Sequence, residues 1–216
     1  MVPDRSKHLR IYQRESCVVF LKTNETFGGL SNMAGGYPVK VNGMHIRSSE
    51  SLYQACRFPH LPQAQKLILE QSSPMTAKMK SKRFRKDSRP DWENIRVTVM
   101  RWCLRVKLAY NPDSFGKLLL ATEKKPIVEE SRKDSFWGAN PETDRTLIGY
   151  NVLGRLLMEL REELRERPNG DFTMINPPDI ESFLLCGRPI EPIFARRDNG
   201  KSPSGEAKEP PQGDLF

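Results

Sequence analysis

The strongest constraint on how this chain folds lies between Asp91 and Asn111, where Trp92, Ile95, Val99, Trp102, Val106 and Tyr110 recur at three- and four-residue steps. That spacing predicts one long amphipathic helix, ended near Asn111-Pro112, whose apolar stripe other elements must cover. A second stripe, Val152, Leu153, Leu156, Leu157, Leu160 and Leu164, begins at Asn151 and is stopped by Pro168. A chain of 216 residues with two such stripes can bury a real core, and one domain with extensions is the expected organisation.

The shorter elements follow from local signals. Cys17 to Leu21 and Tyr37 to Ile46 read as short strands, the second turning at Asn42-Gly43. The loop Phe27 to Gly36 between them is rich in glycine, and two readings stay open for it: a backbone cradle for a ligand or an ordinary connection. Ser48 and Ser49 cap a helix running to about Phe58, with Glu50 in its first turn. Another helix starts at Pro62, and Ser73-Pro74 opens a third, with Met75 and Met79 expected on its inward face and its polar face basic. A short helix over Ser114 to Ala121 precedes a strand over Pro126 to Glu130 and the loop Asp134 to Gly138. The fold class expected is α+β, mainly helical, with residues 1–16 as an arm, 17–167 as the domain, 168–195 as an irregular extension packed on it, and 196–216 as a disordered tail.

Composition narrows the function classes. No run approaches the ~18 apolar residues of a membrane span, and the polar N-terminus offers no secretory signal, so a cytoplasmic address is expected. Cys17, Cys56, Cys103 and Cys186 are irregularly spaced beside apolar residues and read as buried free thiols, and His8, His45 and His60 share no ligand spacing. Neither a metal nor a cofactor is expected. The net charge of +8 is local: Lys78 to Lys107 holds eleven Lys or Arg against Asp87, Asp91 and Glu93. That stretch is either a solvated helical face or a footprint for phosphates, and both readings stay open.

Three features fall near the ends of elements, where sites are usually built: Lys40 on a strand, Glu50 at a helix start, and the acidic-aromatic loop at Asp134 to Gly138. Trp92 and Trp137 read as core or as ligand platforms. The order of the surrounding words is more specific. Leu30-Ser31-Asn32, Pro38 to Gly43, Ser48 to Phe58, Ser73-Pro74-Met75, Asp91-Trp92, Val99 to Arg101, Ile127 to Glu129, Asp134 to Gly138 and Gly149 to Arg161 together resemble the NADAR family, whose fold is YbiA-like. The match spans roughly Val18 to Leu164.

That resemblance implies a domain acting on nucleotide N-glycosides, with members that act on ADP-ribosylated guanine or on riboflavin-pathway intermediates. Carried over by position, it makes Lys40 the candidate for covalent work and Glu50 the candidate acid or base. Ser31, Asn32, Arg57, Trp92, Asp134, Trp137, Gly138 and Asn151 become candidate substrate contacts. The family often has an aromatic residue where Met33 stands and Lys where Arg57 stands; the second exchange replaces a point ammonium with a planar fork. A ribose attached through an exocyclic amine can open to an imine, which a neutral lysine amine attacks to displace the base; Val39 and Val41 would favour that neutral form. Alternatively, Glu50 or Asp134 steadies an oxocarbenium-like transition state while the other protonates the leaving group.

The function expected is removal of ADP-ribose from guanine in DNA, as repair or as antitoxin to a guanine-modifying ADP-ribosyltransferase encoded in the same operon. The alternatives are an N-glycosidase acting on phosphoribosylamines of riboflavin biosynthesis and a non-catalytic ADP-ribose-binding module. The terminal Gln212, Asp214, Leu215 and Phe216 resemble the pentapeptide by which bacterial repair proteins dock on the sliding clamp, which makes the clamp an expected partner beside ADP-ribosylated DNA.

Overall fold

The computed structural model describes residues 9–166 and 172–195. The elements run β1 (Arg10–Gln13), β2 (Val18–Phe20), β3 (Val39–Val41), β4 (Met44–Ile46), α1 (Ser49–Ala55), α2 (Pro62–Leu69), α3 (Pro74–Lys82), α4 (Trp92–Tyr110), α5 (Lys117–Leu120), β5 (Ile127–Glu129), β6 (Asn140–Pro141), β7 (Thr146–Gly149), α6 (Val152–Glu166), and the two-residue strands β8 (Met174–Ile175), β9 (Leu184–Leu185), β10 (Arg188–Pro189) and β11 (Ile193–Phe194). The class is α+β and mainly helical. Among the described residues no helix is long and apolar enough to cross a membrane.

Helix α4 is the axle. Its expected stripe is buried at Trp92, Val99, Trp102 and Val106, but Met100, Cys103, Leu104, Lys107 and Leu108 are buried as well, so its C-terminal half is enclosed on most sides. The sequence stripe understates this because α1, α6, β3 and β8 all pack against the same helix. Burying each leucine-sized side chain contributes about 1.5–3 kcal/mol, so this half contributes substantially to stability. Helix α6 adds Leu153, Leu156, Leu157 and Leu160 as expected; its proposed stop at Pro168 lies outside the described residues.

Helix starts follow the caps. Ser48 accepts from the Ser51 amide at 3.2 Å, and Ser73 with Thr76 forms a capping box that opens α3. On α3, however, Met75 and Met79 are exposed while Ala77 and Ser81 are buried. The packed stripe sits two residues out of phase with the methionines, about 200° around the helix.

The strands form small ribbons. β2 pairs parallel with β5, placing Phe20 beside Glu129, and the hairpin β3–β4 turns at Asn42 and Gly43, both at positive φ. Residues Arg10–Gln13, expected in a separate arm, instead pair antiparallel with β7. In the extension, β8 pairs with β11 and β9 with β10, while Ile175, Phe183, Leu185, Ile190 and Ile193 join the main core. Of the four cysteines, Cys56 and Cys103 are buried, but Cys17 and Cys186 are only partly so, because both sit in strand-edge and turn segments at the periphery. The tail 196–216, with Gln212, Asp214, Leu215 and Phe216, lies outside the described residues.

Candidate active site

A cavity of about 700 Å³ opens where the first turns of α4 meet α1, the middle of α3 and the turn after it, the glycine-rich loop and the segment 129–137. Its volume is in the range of small-molecule and cofactor sites. Trp92, Tyr53 and Trp137 form an aromatic wall, with Tyr53 5.1 Å from Trp92 and 5.8 Å edge-on to Trp137 between ring centroids. Arg57, Arg85, Arg96, Arg132 and Lys78 bring positive charge to the same space.

Glu50 is buried in this cavity, and both its oxygens are engaged. One accepts from the Asn32 side-chain amide at 2.6 Å and the other from that of Gln54 at 2.9 Å. Gln54 is itself fixed by the Ser81 hydroxyl at 2.7 Å. The buried Asn32 side-chain oxygen Oδ1 has no hydrogen-bond partner among the described residues, which leaves an acceptor at the cavity wall.

The expected substrate residues divide. Arg57 donates to the Ser88 hydroxyl at 2.6 Å and stands 5.4 Å from the Trp92 ring centroid. Burial, then the nearby Arg85, disfavours its charged form, so an added anion would be welcome there. Asp134 lines the cavity, yet one of its oxygens accepts from the Phe136 and Trp137 amides, so it also shapes the loop that carries Trp137. Ser31 is buried behind the wall; its hydroxyl accepts from the Met33 amide and contacts the Glu129 carboxyl.

Three expectations change. Lys40 does not line the cavity: it is exposed, while Val39 and Val41 are buried. Successive strand residues point to opposite faces, so the two valines that were to desolvate its amine instead guarantee that it faces away from them. The lysine lining the cavity is Lys78 of α3. Gly138 is not a lining residue either; a Cβ there would come within 2.5 Å of the Glu129 carbonyl oxygen, so its glycine serves close backbone packing. Asn151, fully buried and at positive φ, binds β5 rather than a ligand. Its side chain accepts from the Glu129 amide at 3.1 Å and donates to the Ile127 carbonyl at 2.8 Å.

Sequence reasoning missed Glu129. It lines the cavity at the end of β5, and burial pushes its carboxyl up to about 7, Lys78 opposing and Glu50 and Asp134 adding to the rise. The available signal was an acid closing an apolar strand one step before a loop. The basic stretch also resolves into several fates. Lys78, Arg85 and Arg96 reach the cavity, Arg89 is buried against Asp91, Arg101 and Arg105 pair with Glu159 and Glu163 of α6, and Lys107 is inside the core. A neighbouring groove of about 560 Å³ shares Glu93 and Arg96, but its acids Glu93 and Glu159 are engaged with Arg96 and Arg101, so free carboxyl chemistry concentrates in the larger cavity.

A sequence profile described as the NADAR domain matches residues 19–165. The chain is 34% identical over 163 residues to the N-glycosidase YbiA of Escherichia coli (strain K12), covering 76% of this chain and 98% of that protein. It is 35% identical over 154 residues to the riboflavin biosynthesis protein VVA0006 of Vibrio vulnificus (strain YJ016), covering 70% of this chain and 40% of the other. The NMR structure of the Escherichia coli protein YbiA matches with a TM-score of 0.61 at 34% identity, over 73% of this chain and 93% of that one.

Proposed function

Since the chain belongs to the NADAR family and has the YbiA-like fold, we propose that it is an N-glycosidase that hydrolyses the bond between ADP-ribose and guanine in DNA. The observation that carries this reading is one cavity holding a fixed buried glutamate, an aromatic wall and arginines at once. The wall suits a stacked base, the arginines suit phosphates, and Glu50 suits activation of water at the sugar carbon. The names of relatives such as the Escherichia coli N-glycosidase support the reaction class.

If the reaction passes through a lysine imine, the amine is that of Lys78, which lines the cavity, and not that of Lys40. Exposed cations on α3 and the turn after it, including Lys82, Arg83 and Lys86, continue from Lys78 and Arg85 and would carry the flanking DNA backbone. The same proposal includes a cytoplasmic address, a cognate transferase as functional partner and clamp docking through Gln212 to Phe216. The second reading, a phosphoribosylamine of riboflavin biosynthesis, is favoured by the name of the Vibrio relative.

Release of ADP-ribose from a guanine-ADP-ribosylated oligonucleotide tests the proposal. Glu50→Ala is expected to lower turnover by about 100-fold or more, and Lys40→Ala to leave it within about threefold. On the imine route borohydride traps a covalent adduct that depends on Lys78, whereas direct attack of water on the sugar carbon leaves no adduct to trap. A wild type inactive on the oligonucleotide but active on a phosphoribosylamine overturns the DNA substrate; inactivity on both leaves the binding-module reading.

A further inference from the structure

Breaking an N-glycosidic bond leaves an electron pair on the departing base nitrogen, and that nitrogen needs a proton. Glu50 is poorly placed to supply it, because both its oxygens already act as acceptors toward Asn32 and Gln54. Its two oxygens face N–H donors, so neither is turned toward a departing base as an O–H donor.

Glu129 is held differently. Its backbone is locked on both sides: its amide donates to Asn151 at 3.1 Å and its carbonyl accepts from the Ala139 amide at 2.8 Å. Its carboxyl meets the Ser31 hydroxyl and faces Lys78 from α3, Glu50 from α1 and Asp134 from the following loop. It opens into the cavity that contains Glu50. The two carboxyls share one cavity in different surroundings, Glu50 held by two amide donors and Glu129 beside like charges in a low-dielectric wall, which lets them take different tasks.

Resting on the N-glycosidase reading and extending it, we propose that Glu129 is the catalytic acid that protonates the departing base nitrogen, while Glu50 receives a proton from the attacking water. The bond from the sugar C1′ to nitrogen breaks with its electron pair going to nitrogen, which takes the Glu129 proton. Water oxygen bonds to C1′ and gives its proton to Glu50; exchange with solvent returns one proton to Glu129 and removes one from Glu50. Burial, which brings the Glu129 carboxyl to about 7, keeps an acid form in supply near neutral pH.

Two measurements separate this assignment from the reaction class. In ¹³C-glutamate-labelled protein without substrate, the carboxyl resonance lost in Glu129→Gln is expected to titrate near 7; titration in the ordinary carboxylate range overturns the acid role whatever the substrate. In steady-state assays on the ADP-ribosylated oligonucleotide, wild-type kcat is expected to fall as pH rises above about 7. Glu129→Gln is expected to lack that limb and to lose about 100-fold in kcat with KM changed less than about threefold. Glu129→Asp, which keeps the acid on a shorter arm, is expected to recover part of the rate and the limb. Wild-type kcat and pH profile in folded Glu129→Gln overturn the assignment and leave the glycosidase reading standing. A wild type that cleaves no ribosyl-base bond overturns both.

Discussion

Lys107 and Glu129 are both ionisable groups that burial drives to about 7, from opposite directions, and they sit in regions with different work to do. Lys107 lies in the core behind the glycine-rich loop. Its amine donates to the Gly29 carbonyl at 2.7 Å and the Ser31 carbonyl at 3.0 Å, and stands 4.3 Å from the ring centroids of both Tyr37 and Phe115. Glu129 opens onto the cavity beside a second carboxyl and a lysine. A displaced pKa therefore marks burial in both places and chemistry in only one; access to a space where a ligand can sit makes the distinction.

The largest effect that would break this contrast concerns Lys107. Lys107→Ala empties a fully buried volume and leaves two buried carbonyls without their donor, so it is expected to cost about 4 kcal/mol in denaturant unfolding. A loss below about 1 kcal/mol would show that the amine does not hold the loop.

Next in size are the pH slopes of stability, which should have opposite signs. Glu129 has a raised folded pKa, so between 4.5 and about 7 the native state holds a proton that the unfolded state has lost, and its contribution falls as pH rises. Lys107 has a lowered one, so between about 7 and 10.5 the unfolded state holds the extra proton, and stability rises with pH. Unfolding curves of wild type, Glu129→Gln and Lys107→Met across both windows check this. Each variant should lose its own slope and retain the other.

The smallest effect sharpens the contrast within a single turn. Arg105, two residues before Lys107, faces outward and pairs with a half-buried Glu163 at 2.6 Å. Arg105→Ala is expected to change stability by less than about 1 kcal/mol, with the difference fading in high salt.

The sequence made the long elements legible because periodicity and caps report on them directly: the stripes of α4 and α6, the Ser48 and Ser73 caps, and the Asn42-Gly43 turn all stand where expected. Of the site, Glu50, Asn32, Arg57, Trp92, Asp134 and Trp137 do line one cavity. What stayed hidden depends on which way a side chain points. Lys40 and Lys78 are equally plausible lysines in a string of letters, and only strand alternation and the α3 face separate them. Lys107 is indistinguishable by composition from the outward Arg101 and Arg105, because a helix enclosed on most sides has no polar face left to assign it to. The resemblance makes Asn151 a candidate substrate contact, but letters alone do not show that its amide meets a neighbouring strand.

The parallel pairing of β2 with β5 sets a timetable for synthesis. Phe20 meets Glu129 only after more than a hundred residues have separated them along the chain, and the Glu129 amide is fixed only when Asn151 arrives. Closing so long a loop is slow relative to forming helices. A nascent chain that has released α1 to α4 from the ribosome thus carries Glu50 and Trp92 but no finished cavity, whose lining is complete only once Glu129, Trp137 and Leu153 are in place.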